Sequence, residues 1–168
     1  MFQRAAPLGY QQLTLSSTAT GLTLPYGSQQ ASGSACNLLG KTLTVGGTVT
    51  GTFAVGQTVV GTGIPANTTI VGQGGPGSNT WQLSAACTTE TGEAVTAYQT
   101  LNVNFAEIRV STANANWRDD GTAPTASVGM PMLSTDPLFE YAGALQNIQF
   151  IAQTGSPVLN VSYYSLSG

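Results

Sequence analysis

The sequence predicts an all-β protein: an antiparallel β-sandwich, jelly-roll-like, with an inserted small β-meander or barrel module. Three observations predict it. Segments at both ends of the chain, such as Gln11-Gln-Leu-Thr-Leu15 and Val158-Leu-Asn-Val-Ser-Tyr163, alternate apolar and polar residues with the period of two of a half-buried strand. The middle is a run of short threonine- and valine-rich segments cut by glycine turns, the pattern of a small β-unit rather than of helices. Finally, 41% of residues are hydrophobic while 7% are charged and the net charge is −3. That hydrophobic content can form a core, and the combination is the reverse of a disordered composition.

Taken in order, Gln11–Leu15 and Gly21–Leu24 read as the first strands, and Pro25-Tyr-Gly-Ser28 as a turn. Gln29 to Ala35 is small and polar and reads as a linker. Lys41–Val45, Thr48–Phe53, Gln57–Val60, Thr68–Val71 and Thr80–Leu83 are short strands of the inserted block, separated by Gly46-Gly47, Gly61-Thr-Gly-Ile-Pro65 and Gly74-Gly-Pro-Gly77. The first pattern then resumes with Thr100–Phe105, Ala106–Val110, Ala115–Trp117, Leu138–Tyr141, Ile148–Ile151 and Val158–Tyr163. The Gly155-Ser-Pro157 turn predicts a hairpin of the last two. The expected organisation is a sandwich of residues 1–34 and 97–168 with residues 35–96 inserted at a loop, where insertions are tolerated.

Composition excludes several function classes. The four basic residues, Arg4, Lys41, Arg109 and Arg118, are scattered, so no basic patch for nucleic acid is expected. No apolar run reaches the roughly 18 residues of a membrane-spanning helix. Met1–Pro7 lacks the basic and apolar regions of a secretion signal. There is no histidine, which removes Ser-His-Asp and Cys-His catalysis and the commonest metal ligand. Asp119 and Asp120 are the only adjacent acids, and Arg118-Asp-Asp-Gly121 reads as a structural turn whose carboxylates cap backbone amides. It lacks the acid spacing of a calcium loop, and Gly72–Gly77 lacks the lysine and helix of a phosphate loop. No enzyme activity, cofactor or metal is expected. Cys36 and Cys87 bracket the inserted block; one disulfide or two buried thiols both fit their spacing. Trp81 reads as part of the module's small core, although with Gln82 beside it a sugar platform is the alternative. Tyr163 and Tyr164 must face opposite ways, which frees one for a partner.

Trp117-Arg-Asp-Asp-Gly-Thr-Ala-Pro-Thr125, Val128-Gly-Met130, Leu145–Ile151 and Leu159–Tyr164 together resemble a family of small virion structural proteins of tailed bacteriophages. Phe53–Ile70 resembles a module found as an insertion in phage fibre proteins. The resemblance implies a capsid decoration or cement protein, made in the host cytoplasm and bound to the major capsid protein on the capsid exterior, self-associating as a trimer or a dimer. The alternative is a tail, collar or fibre component whose inserted module meets the host surface. The expected contacts are the arm Phe2, Gln3, Arg4 and Pro7, the loop residues Pro131 and Met132, and Tyr164.

Overall fold

The computed structural model describes residues 5–166, and among them there is no helix. Thirteen strands occur in the order β1 Ala5–Thr14, β2 Thr20–Gly21, β3 Tyr26–Thr44, β4 Val49–Gly51, β5 Thr58–Gly61, β6 Ile70–Gln73, β7 Thr80–Thr100, β8 Phe105–Ser111, β9 Ala115–Arg118, β10 Met130–Met132, β11 Phe139–Tyr141, β12 Gln149–Ala152 and β13 Val158–Leu166. The chain divides into two compact units, Met1–Pro25 with Asn102–Gly168, and Tyr26–Leu101.

The first unit is a sandwich of two four-stranded antiparallel sheets, β1-β13-β8-β11 and β10-β9-β12-β2. Its pairing is nested. The first strand of the unit pairs with the last, β1 with β13; then β2 with β12, β8 with β11, and β9 with β10. A long hairpin rolled up on itself produces this order, and it is the path of a jelly roll. The second unit lies in sequence between β2 and β8.

Alternation builds the sandwich core. On β8 it buries Ala106, Ile108 and Val110, and on β13 Leu159, Val161 and Tyr163. The register sets Tyr163 against Ala106 and Leu159 against Val110, so a large ring faces a small side chain. The other sheet contributes Ala115, Met132, Phe150 and Ala152 to the same core. The buried Tyr163 hydroxyl donates to Gln11 Oε1 at 2.6 Å, which keeps its polar end satisfied. Asn104 holds the end of β13 twice: its amide donates to the Leu166 carbonyl at 3.1 Å, and its Oδ1 accepts from the Leu166 N–H at 2.7 Å.

The second unit is a five-stranded sheet in which the long ribbon β3–β7 carries β4 on one side and β5 and β6 on the other. Its own core is Leu38, Leu43, Phe53, Val59, Ile70, Leu83 and Val95 with smaller neighbours. The β3–β7 ladder is interrupted by repeated register shifts, which bend and twist the ribbon.

Three expectations from the sequence are corrected here. The stretch Gln29–Ala35 is not a linker but the first half of β3, and the inserted unit runs from Tyr26 to Leu101 rather than from 35 to 96. Crowding explains Gly33, where a Cβ would lie 2.7 Å from Cys36 Sγ. On β4, Gly51 has φ +68° and a Cβ there would overlap the Gln30 carbonyl oxygen. Second, Thr100–Phe105 is not one strand: β7 ends at Thr100 and β8 begins at Phe105. Third, β12 and β13 are not a hairpin. They belong to opposite sheets, and the Gly155 turn carries the chain from one sheet to the other. Of the two alternatives left open for the cysteines, the structure has the free thiols, Cys36 buried and Cys87 half-buried. Cys36 faces Glu93 across the ladder and Cys87 faces Gly40. The four residues from Cys36 to Gly40 span roughly 13 Å of strand, beyond the Cα separation of about 7 Å that a disulfide bridges. Burial raises the Cys87 thiol above its ordinary pKa.

Candidate functional site

Residues 119–129 form the connection between β9 and β10, a loop held by hydrogen bonds of its own side chains. Arg118 and Asp120 form an ion pair, with Arg118 Nε donating to Asp120 Oδ1 at 3.1 Å. The same Oδ1 accepts the Thr122 N–H at 3.1 Å. The Arg118 hydrogen bond first, and that amide second, hold the Asp120 carboxyl below its usual pKa. Asp119 turns the other way and accepts from the Tyr141 hydroxyl at 2.9 Å. Gly121 has φ +82° in open space, so only backbone strain opposes a side chain there. Gly121→Ala is expected to cost roughly 1 kcal/mol in a denaturant melt. An unchanged midpoint would rule out a left-handed turn at this residue.

Further along the loop, buried Asn116 donates to the Thr125 and Ala126 carbonyls at 3.0 and 3.1 Å and accepts from Gln153 Nε2 at 2.7 Å. The conspicuous segment of the sequence is therefore a scaffold, and what it supports is aromatic. Trp117 and Phe139 lie with ring centroids 5.1 Å apart, and Tyr141 closes the trio at 6.1 Å from Trp117 and 5.9 Å from Phe139. Burial, and then the hydrogen bond to Asp119, push the Tyr141 phenol up to about 12. The unfolded chain's phenols ionise near pH 10. This contribution to stability is therefore complete below about pH 10 and is lost as the pH rises through about 12. Burial raises the Tyr163 phenol in the same direction. The melting temperature should fall over pH 10–12, and Tyr141→Phe should make that fall shallower. A parallel fall in the variant would remove Tyr141 from the alkaline transition.

Beside the trio, the outermost strands of the two sheets, β10 and β11, flank an open groove of about 290 Å³. Trp117, Met130, Pro131, Met132, Pro137, Leu138 and Phe139 line it. Met130 is 58% exposed and Leu138 48%, with Leu133 and Val128 exposed nearby. Asp136, the one acid on its wall, is occupied in closing a turn: its Oδ2 accepts the Leu133 N–H at 2.7 Å. The result is an apolar rim along the groove. Pro131 suits an edge strand, where no partner needs its missing N–H.

The contact residues expected from the sequence fall in three places. Phe2, Gln3 and Arg4 lie outside the described residues. Pro7 is exposed on β1 and stands opposite Tyr164 of β13, so these two come together. Tyr164 is half-buried and already partnered: its hydroxyl donates to Glu107 Oε2 at 2.9 Å and its ring lies 5.9 Å from Phe105. Pro131 is exposed on the apolar rim, and Met132, although mostly buried, also lines the groove. Met132 is buried against Ala115 in the sandwich core, because alternation along β10 turns it inward. Sequence reading missed Trp117, Met130 and Leu138 as rim residues. The apolar cluster Met130-Pro-Met-Leu133 followed by Pro137-Leu-Phe139 was the available signal. Among the described residues no group of three or more His, Cys, Asp or Glu side chains is placed to hold a metal ion.

No family model, curated protein or solved structure matches this chain.

Proposed function

We propose that this protein is a non-enzymatic virion structural protein of a tailed bacteriophage, a head decoration or cement protein that binds the lattice of major capsid protein from the capsid exterior. The observation that carries the reading is the apolar rim between β10 and β11, where Met130, Leu133 and Leu138 stand exposed beside a half-buried tryptophan. Methionine and aromatic residues with little charge are what the buried centre of a protein interface is made of. The partner would set an apolar segment into the groove, and the edge strands offer unpaired backbone groups for strand addition. The low overall charge supports the same reading, since charge is what ordinarily keeps free proteins apart. Jelly rolls serve viral capsids and lectins alike, so the fold favours a virion role without choosing it. Self-association as a trimer or a dimer would match the local symmetry of a lattice, and repetition over many sites turns weak contacts into stable attachment.

The test has two parts. Quantitative mass spectrometry of purified virions should find a copy number comparable to that of the major capsid protein. Leu138→Asp, a change at an exposed position, should abolish co-sedimentation with capsids that lack the protein while leaving its melting unchanged. A handful of copies per particle would instead place the chain in the tail, collar or fibres, and absence from the particle would overturn both readings.

A further inference from the structure

We propose that Asp120 and Gly121 form a covalent modification site, where the main chain rearranges to an isoaspartyl linkage, and that Arg118 is the residue that holds this site closed. The rearrangement starts when the Gly121 nitrogen attacks the side-chain carboxyl carbon of Asp120. A new C–N bond forms, the carboxyl hydroxyl leaves with the amide hydrogen as water, and a five-membered succinimide results. Water then adds to the main-chain carbonyl carbon of Asp120 and breaks its bond to the Gly121 nitrogen. The chain now runs through the former side-chain carbon, and the former main-chain carbonyl is a free carboxylate. One water is released and one consumed, so the change is an isomerisation that needs no other reactant.

The sequence singles out this pair. Among the aspartates and asparagines of the chain, only Asp120 is followed by glycine. Glycine leaves its nitrogen open to approach and its backbone free to rotate. Asp119 is followed by a residue with a side chain, and its carboxylate already accepts from the Tyr141 hydroxyl at 2.9 Å. Asp136 is followed by Pro137, which has no N–H to give up.

The fold makes the site both reachable and guarded. Gly121 is exposed, and a Cβ placed on it would meet nothing within 4 Å. The Asp120 side chain is 52% exposed, so water reaches it. Its Oδ1 accepts the Thr122 N–H at 3.1 Å, which folds the carboxyl back toward the peptide units that follow it. What opposes attack is charge. A carboxylate ion is a poor target for a nucleophile, because attack adds negative charge to a group that already carries it. Arg118 engages both oxygens, donating from Nε to Oδ1 at 3.1 Å and from Nη2 to Oδ2. That two-point contact favours the ionised carboxyl and fixes its plane. It is also the leading cause of the lowered Asp120 pKa. Arg118 is the last residue of β9 and stands opposite Gln149 of β12, so the guard is anchored on a sheet while the reactive pair lies in the loop. Rearrangement would take the side-chain carboxylate from both Arg118 and Thr122 and lengthen the main chain of the loop by one carbon.

The experiment ages the full chain for weeks at neutral pH and body temperature, and measures isoaspartate at Asp120 by peptide mapping with electron-transfer fragmentation. The same chain kept unfolded in urea gives the unguarded rate. The folded parent should rearrange more slowly than the urea sample. Arg118→Gln should rearrange roughly two- to fivefold faster than the folded parent, the range an exposed ion pair supports. Arg118→Lys, which keeps a cation without the planar fork, should fall between the two. Adding Gly121→Ala to Arg118→Gln should suppress the product. Equal rates in the parent and Arg118→Gln would overturn the guard. So would a rise in Arg118→Gln that appears only with a lowered melting temperature, since unfolding would then be its cause. A folded parent as fast as the urea sample, or isoaspartate placed elsewhere in the chain, would overturn the site itself. The outcome does not depend on the proposed capsid role.

Discussion

Phe150→Ala should remove about 3–5 kcal/mol from the stability of the jelly roll, the usual range for emptying a fully buried phenylalanine site. Phe150 is 0% exposed on β12, a strand flanked by β9 and β2, where it stands opposite Trp117 and Thr20. Neighbours on both sides are fixed by ladders, so the cavity cannot collapse cheaply. A domain of this size has about 5–15 kcal/mol in all, and the variant should approach the limit of folding at body temperature. The two tryptophans make the measurement specific, since Trp117 belongs to the sandwich and Trp81 to the inserted unit. In a Trp81→Phe background, the urea midpoint read from Trp117 fluorescence should drop sharply. A loss below about 1 kcal/mol, the typical cost of an average substitution, would mean that Phe150 is not at the centre of the core.

Asn116→Ala comes second, with an expected loss of about 2–3 kcal/mol. One buried side chain serves three partners here, the Thr125 and Ala126 carbonyls and the Gln153 amide. Removing it leaves groups short of partners in a half-buried site, and it also releases the loop that carries Arg118 to Gly129. Limited proteolysis should therefore cut the variant within that loop before the intact protein is cut anywhere in the sandwich. If the stability change is no larger than that of Gly121→Ala, the network is not what holds the loop. Because the same loop supports Trp117 and the rim, the capsid binding proposed for the rim should weaken along with it.

How legible the molecule was depended on the residue in question. Val158–Tyr163 and Ala106–Val110 could be read directly, because alternating large apolar and polar side chains leave a single way to bury one face. Gln29–Ala35 could not. Small polar residues mark a flexible linker and also a strand under tight contact, and only the closeness of Cys36 and of β4 distinguishes the two. The Gly155-Ser-Pro157 turn was visible, but a turn does not say whether the chain returns to the same sheet or crosses to the other. That Met132 turns largely inward could not be read either, because three apolar residues in a row leave the inward one undecided until Ala115 is seen opposite it.

By itself the sequence determined the all-β class, the sparse charge, the two-part composition and the absence of histidine-based chemistry. These are properties of local pattern and residue inventory, and no partner is needed to express them. Tertiary structure alone decided which strands meet. β1 pairs with β13 across nearly the whole chain, and β2, β8 and β9 find β12, β11 and β10 in turn. The physical reason is that alternation specifies which face of a strand is buried but not against what. Backbone hydrogen bonds are the same for every partner, so the nested order rests on how large and small side chains fit across the closed core, as Tyr163 does over Ala106. The apolar rim follows from that pairing, and the open groove beside Trp81 from the separate pairing of β3, β6 and β7. Each gathers residues from strands that are neighbours only once the sheets have formed.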